Sequence, residues 1–121
     1  LIAEMRQAGP LWNVSAAAQT AGLAAIKCTG YEEGAAKLIA AERPYMVNAL
    51  NDMGLKTYPT SANYILFRSE KQLKEPLLKH GILIRACGNF EGLDDSFYRV
   101  CVMKHEQNAE LITAIKEVLH G

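Results

Sequence analysis

The chain has 121 residues, with 13 basic and 13 acidic side chains and no formal net charge, so it carries no electrostatic footprint for nucleic acid or an anionic membrane. Its apolar runs fall far short of the roughly 20 residues that span a bilayer, and its length allows one domain at most. Cys28, Cys87 and Cys101 form no Cys-x-x-Cys spacing, which speaks against a disulfide framework or a zinc site and for a reducing, cytoplasmic setting.

The first residues, Leu1-Ile2-Ala3-Glu4-Met5-Arg6-Gln7, read as the end of a helix closed by Ala8-Gly9-Pro10. With no initiator methionine, the chain is expected to be cut from something longer, the missing part lying N-terminal. Asn13 or Ser15 can cap an alanine-rich helix over 16–27, whose small side chains allow close approach to another element. A second helix over 32–53 carries Leu38, Ile39, Met46, Val47, Leu50 and Met53 at helical spacing, with a bend expected at Pro44 and a stop at Gly54.

Residues 55–58 and 62–68 read as strands around Pro59-Thr60-Ser61, and 71–80 as a helix in which Pro76 sits uneasily. Residues 82–85 and 98–102 read as strands, and 105–119 as a closing helix with a stripe of Leu111, Ile112, Ile115, Val118 and Leu119. Strand, strand, helix, strand, strand, helix predicts an α/β (α+β) domain: a mostly antiparallel sheet with helices on one face, preceded by long helices.

Arg85 and Arg99 stand at the ends of the two later strands, joined by a Gly/Asn/Asp-containing loop. A strand draws its neighbours into a core, whereas a guanidinium must find water or an anion. Its rigid fork of donors matches a carboxylate or a phosphate, and its charge cannot be titrated away. Two such groups suggest an anion site; the structural alternative is that each pairs with Glu91, Asp94 or Asp95.

Six segments carry a family resemblance: Gly9-Pro10-Leu11-Trp12-Asn13-Val14-Ser15, Ala41-Glu42-Arg43-Pro44, Ser61-Ala62-Asn63-Tyr64-Ile65-Leu66-Phe67, Gly81-Ile82-Leu83-Ile84-Arg85, Tyr98-Arg99-Val100-Cys101-Val102 and His105-Glu106-Gln107-Asn108. In this order the chain resembles the C-terminal part of fold-type I pyridoxal-phosphate enzymes, in the branch holding threonine-phosphate decarboxylases of cobalamin synthesis and histidinol-phosphate aminotransferases. The resemblance implies an interdomain helical segment over 1–43 and a small C-terminal α/β domain over 44–121, in a homodimeric parent with a missing N-terminal large domain. It implies that Arg99 holds a substrate carboxylate and Arg85 a second anionic group, phosphate in the nearest members, with Asn89 a minor contributor. The substrate is then a small phosphorylated amino acid, and the Ile-Arg-x-Cys-x-Asn-Phe-x-Gly-Leu and Tyr-Arg-Val-x-Val pattern favours the decarboxylase. The alternatives are an aminotransferase of the histidinol-phosphate type and a non-catalytic anion-binding module. The family holds its cofactor as an imine on a lysine in a Ser/Thr-x-Ser-Lys stretch. None of Lys27, Lys37, Lys56, Lys71, Lys74, Lys79, Lys104 and Lys116 has that context. The implied cofactor, pyridoxal 5′-phosphate, is thus not expected to be held covalently by these residues, and no catalytic or metal residue is assigned to them.

His80, His105 and His120 fall at helix ends, too far apart in sequence for a metal site. Cys87 reads as a small buried hydrophobe rather than a reactive thiolate, and the glycines of Gly88-Asn89-Phe90-Glu91-Gly92 as turn residues. Trp12 and Asn13 read by default as a packing anchor and a cap, and by resemblance as lying near the subunit interface and the neighbouring active site. Asn63 is expected to satisfy local backbone groups. Lys104 is a weak cap for the last helix.

Overall fold

The computed structural model describes residues 1–9, 12 and 14–121, with the backbone alone at residue 6. They divide into two compact units, 1–33 and 34–121. In the first, α1 spans Ile2–Ala8 and α2 spans Ala16–Ile26. Ser15 is the cap of α2: its Oγ accepts from the Ala18 N–H at 3.1 Å. Asn13, the other candidate, lies outside the described residues. No residue of α2 is buried.

Helix α3 spans Tyr31–Asp52 and runs through Pro44 without interruption. It ends in a Schellman arrangement: the Leu55 N–H donates to the Leu50 carbonyl at 3.1 Å and the Gly54 N–H to Asn51 at 2.8 Å, with Gly54 at φ 78°. β1 (Lys56–Thr57) and β2 (Tyr64–Arg68) follow, then α4 (Lys74–Lys79), β3 (Arg85–Ala86), β4 (Phe97–Cys101) and α5 (His105–His120).

Several elements are shorter than their sequence patterns, and for β1, β3 and α4 the backbone shows why. β1 begins after Leu55 because that residue's N–H is spent on closing α3. β3 begins late for the same reason. The Ile82 N–H closes α4 by donating to Leu77 at 3.0 Å, with Gly81 at φ 75°, so pairing with β4 starts only at Arg85. α4 starts at Lys74 rather than 71, which resolves the difficulty with Pro76. In the first turn of a helix the amide has no intrahelical acceptor, so a residue without an N–H costs nothing there.

The sheet is antiparallel throughout, in the order β1-β2-β4-β3. Alternation along β2 and β4 buries Ile65, Phe67, Tyr98 and Val100 on one face. They form one core with Met46 and Leu50 of α3, Leu73, Leu77 of α4, and Leu111, Ala114 and Ile115 of α5. Tyr98 also satisfies its hydroxyl, which donates to Gln72 Oε1 at 2.9 Å and accepts from the Leu73 N–H at 3.4 Å. The expected helices-on-one-face architecture is the one observed, and the opposite face of the sheet carries Tyr64, Leu66, Arg68, Phe97, Arg99 and Cys101.

Candidate functional site

Arg85 and Arg99 are cross-strand partners, directly opposite each other in the β3–β4 ladder. Both therefore belong to the face away from the core, since Tyr98 and Val100, the neighbours of Arg99, are buried on the other. Like charges directly opposite in a sheet repel. An anion between or above them removes that repulsion and uses both forks of donors.

Each guanidinium is held by neutral groups. Arg85 Nη2 donates to Asn89 Oδ1 at 2.8 Å, and its Cζ lies 5.4 Å from the centroid of the Phe90 ring. Arg99 Cζ lies 4.5 Å from the centroid of the Tyr64 ring. Among the described residues neither arginine makes an ion pair. The structural alternative, pairing with Glu91, Asp94 or Asp95, does not occur. The Asp94 carboxylate accepts from the Ser96 hydroxyl and, at 2.9 Å, from the Ser96 N–H. Those bonds, the hydroxyl first, hold its pKa below the ordinary value against the opposing effect of desolvation, with a smaller contribution from Arg68.

The two arginines are among the residues that line a hollow of about 550 Å³. Its walls are 81–85, the part of β4 from Arg99 to Cys101, and the start of α5 with Gln107 and Glu110. The opening follows from the brevity of β3: residues 82–84 make no ladder pairs with β4. No lysine is among the lining residues, so the hollow offers no amine with which a pyridoxal-type aldehyde could form an imine. These residues can bind and orient an anionic molecule.

Four of the quoted motif segments, 41–44, 61–67, 98–102 and 105–108, are joined by hydrogen bonds. Arg43 Nη2 donates to the carbonyls of Ser61 at 3.2 Å and Ala62 at 2.8 Å, tying α3 to the start of β2. The Val102 N–H donates to the Asn63 carbonyl at 2.8 Å. Asn108 Nδ2 donates to Glu42 Oε2 at 2.9 Å, and His105 Nδ1 lies 3.1 Å from Glu42 Oε1. Asn63 itself is exposed rather than set inside a strand, because β2 starts one residue later. Lys104 gives no side-chain cap; instead Asn108 Oδ1 accepts from the Met103 N–H at 2.9 Å.

Cys87 is buried, in keeping with a structural role. The three histidines stand at helix ends: His80 follows α4, and His105 and His120 bound α5. Trp12 is 81 % exposed and so anchors no packing among the described residues; Asn13 lies outside them. Tyr64 and Phe90 were not singled out from the sequence as supports of the arginines. The signal was present for Tyr64: on a strand it alternates onto the same face as Leu66 and Arg68, and a ring on that face can reach a diagonal neighbour.

The fold is an α+β domain that presents a pair of facing arginines on the open side of its antiparallel sheet. Residues 1–115 match the family model of aminotransferase class I and II, and the chain belongs to that family, whose members depend on pyridoxal phosphate. It is 36 % identical to threonine-phosphate decarboxylase of Salmonella typhimurium, an alignment covering 99 % of this chain and 34 % of that protein. It is 35 % identical to histidinol-phosphate aminotransferase of Methanosarcina mazei, over 96 % of this chain and 32 % of that protein. The crystal structure of the histidinol-phosphate aminotransferase from Clostridium acetobutylicum superposes with a TM-score of 0.79 at 33 % identity, covering 98 % of this chain and 37 % of that one. The chain thus spans about a third of the length of these relatives. Among the described residues no helix is long and apolar enough to cross a membrane.

Proposed function

We infer that the chain is the C-terminal, substrate-anchoring part of a pyridoxal-phosphate enzyme acting on a small phosphorylated amino acid, with L-threonine O-3-phosphate decarboxylase the leading assignment. The observation that carries this reading is the cross-strand pair Arg85 and Arg99, neither of them neutralised by a carboxylate among the described residues. A substrate with a carboxylate and a phosphate needs two cationic forks, and Arg85 and Arg99 stand directly opposite each other on one face of the sheet. In this reading Arg99 holds the carboxylate and Arg85, steadied by Asn89, the phosphate. Residues 1–43 are the segment joining a large domain to the small domain over 44–121, and Trp12 and Asn13 face a partner subunit of a cytoplasmic homodimer. The large domain would carry the lysine that holds the cofactor.

The similarity to histidinol-phosphate aminotransferases supports a second reading, transamination of a related phosphorylated substrate. Both use the same two anchors. They part on the chemistry, which the full-length protein decides: CO2 release from threonine phosphate is the expected result, and amino transfer without CO2 release selects the aminotransferase.

The anchors themselves are tested on this chain. Titration with threonine phosphate and with inorganic phosphate, followed by backbone amide and arginine Nε–Hε NMR resonances, is expected to move the signals of Arg85 and Arg99. Arg85→Ala and Arg99→Ala should each remove one part of the response. Signals that stay fixed for both arginines at saturating phosphate overturn the preformed anion site.

A further inference from the structure

We propose that Tyr64 is the positioning residue for Arg99: its ring face fixes the guanidinium while leaving its charge and its donors free for the anion. The proposal rests on the reading of Arg99 as an anion anchor and adds the residue that aims it.

The β2–β4 register sets the contact. Leu66 is opposite Arg99 and Tyr64 opposite Cys101, so Tyr64 and Arg99 are diagonal neighbours on the open face, a separation that an aromatic and a long side chain can bridge. Arg99 Cζ stands 4.5 Å from the ring centroid, inside the roughly 6 Å over which a cation is drawn to a ring face. Among the described residues the Arg99 guanidinium has neither a hydrogen-bond nor an ion-pair partner, and it stands against the Tyr64 ring. The Tyr64 hydroxyl has no partner among them either, so the ring face, not the phenol, makes the link. Tyr64 is 38 % exposed and lines the same hollow as Arg99.

The chemistry of the support decides what it does. A carboxylate beside Arg99 would also hold it, but would occupy one edge of the fork and cancel the charge an incoming anion needs. An aromatic quadrupole attracts the cation through its face and accepts no in-plane N–H···O bond, so the five donors stay available for bidentate capture. Holding a flexible arginine in one orientation before binding also removes ordering entropy from the binding step.

The test uses the 121-residue chain with inorganic phosphate as probe and backbone amide shifts as the binding readout. In the parent sequence the Arg99 side-chain protons carry a ring-current shift. Tyr64→Phe keeps both that shift and phosphate affinity within about twofold. Tyr64→Leu abolishes the shift and weakens phosphate by about three- to fivefold, the weight of one exposed cation–π contact, and adds nothing on an Arg99→Ala background. Should leucine unfold the sheet, the strand-compatible Tyr64→Ile gives the same reading. Wild-type affinity in the folded Tyr64→Leu or Tyr64→Ile chain, with Arg99→Ala still defective, overturns the role of Tyr64 and leaves the anchor standing. Unchanged binding in Arg99→Ala overturns the anchor and the role of Tyr64 with it.

Discussion

Glu42 of α3 and Asn108 of α5 meet at 2.9 Å, Asn108 Nδ2 donating to Glu42 Oε2, although 66 residues separate them. Asn108 is the one fully enclosed amide of α5, and both ends of its side chain are used. Nδ2 donates also to the Met103 carbonyl at 2.8 Å, and Oδ1 accepts from the Met103 N–H at 2.9 Å. It serves at once to hold the segment leading into α5, at Met103, and as the tie that fixes α5 to α3.

Asn108→Ala removes that tie and strands the polar groups of Met103. Asn108 is buried and makes three hydrogen bonds, each contributing about 0.5–1.5 kcal/mol, so thermal unfolding of the variant is expected roughly 10 °C below the parent. A fall of a degree or two in calorimetry would mean that water restores the lost bonds.

The same contact gives the stability an acid-side dependence. The Asn108 bond above all, helped by the His105 hydrogen bond and charge and opposed by desolvation, holds the Glu42 pKa below its ordinary value. A carboxyl whose pKa is lower in the folded than in the unfolded chain contributes stability above the unfolded value, and that contribution is lost as pH falls through the folded value. Denaturant midpoints measured from about pH 6 to pH 3 should therefore decline more steeply in the parent than in Glu42→Gln. Parallel curves would remove Glu42 from the account.

Much of this frame was legible in the residues. The apolar stripes of α3 and α5 and the two-residue alternation of β2 and β4 give the elements and their buried faces, because each pattern matches one backbone period. The lengths of β1 and β3 were not legible. Gly54 and Gly81 signal helix stops, but that the following N–H groups of Leu55 and Ile82 turn back to close those helices is decided by three-dimensional geometry. The same limit applies to the site. The types of Arg85 and Arg99 suggest an anion site, whereas their facing each other depends on register between strands separated by a loop. Whether Asp94 would neutralise one of them depended on Ser96, a nearer partner two residues away.

Asn89→Asp tests the importance of neutral support at Arg85. Asn89 Oδ1 is 2.8 Å from Arg85 Nη2, so a carboxylate there forms an ion pair in place of a neutral hydrogen bond. Exposed pairs of this kind contribute about 0.2–1 kcal/mol, too little to raise the unfolding temperature much. The expected effect is on binding: phosphate affinity falls by about two- to fivefold while Asn89→Ala changes it less. An aspartate that leaves the titration unaltered would show that Arg85 swings clear of residue 89 when it meets the anion.

Helix α2 should exchange its amides fast. It has 11 residues, none buried, and an isolated helix of this length is marginal in water even when rich in alanine. α5 by contrast buries Asn108, Leu111, Ala114 and Ile115. Hydrogen exchange of this chain should give α5 amides at least about tenfold more protection than those of α2. Equal protection would mean that α2 is covered, by another copy or by part of a longer protein.

Gly88 connects the loop to Arg85 through its neighbour Asn89. A Cβ at position 88 would run into the Asp95 carboxylate and stand 3.2 Å from the Asp95 N. The side chain can swing away, but the backbone nitrogen moves only with the loop. Gly88→Ala therefore shifts the segment that carries Asn89 and loosens its bond to Arg85, while Arg99, supported from β2 by Tyr64, keeps its position. The two arginines should separate in the NMR titration: the Arg85 signal responds less to phosphate than in the parent and the Arg99 signal responds as before. A matched loss at both would mean that the loop supports the pair as a unit, and no loss at either that Asn89 tracks Arg85 through the displacement.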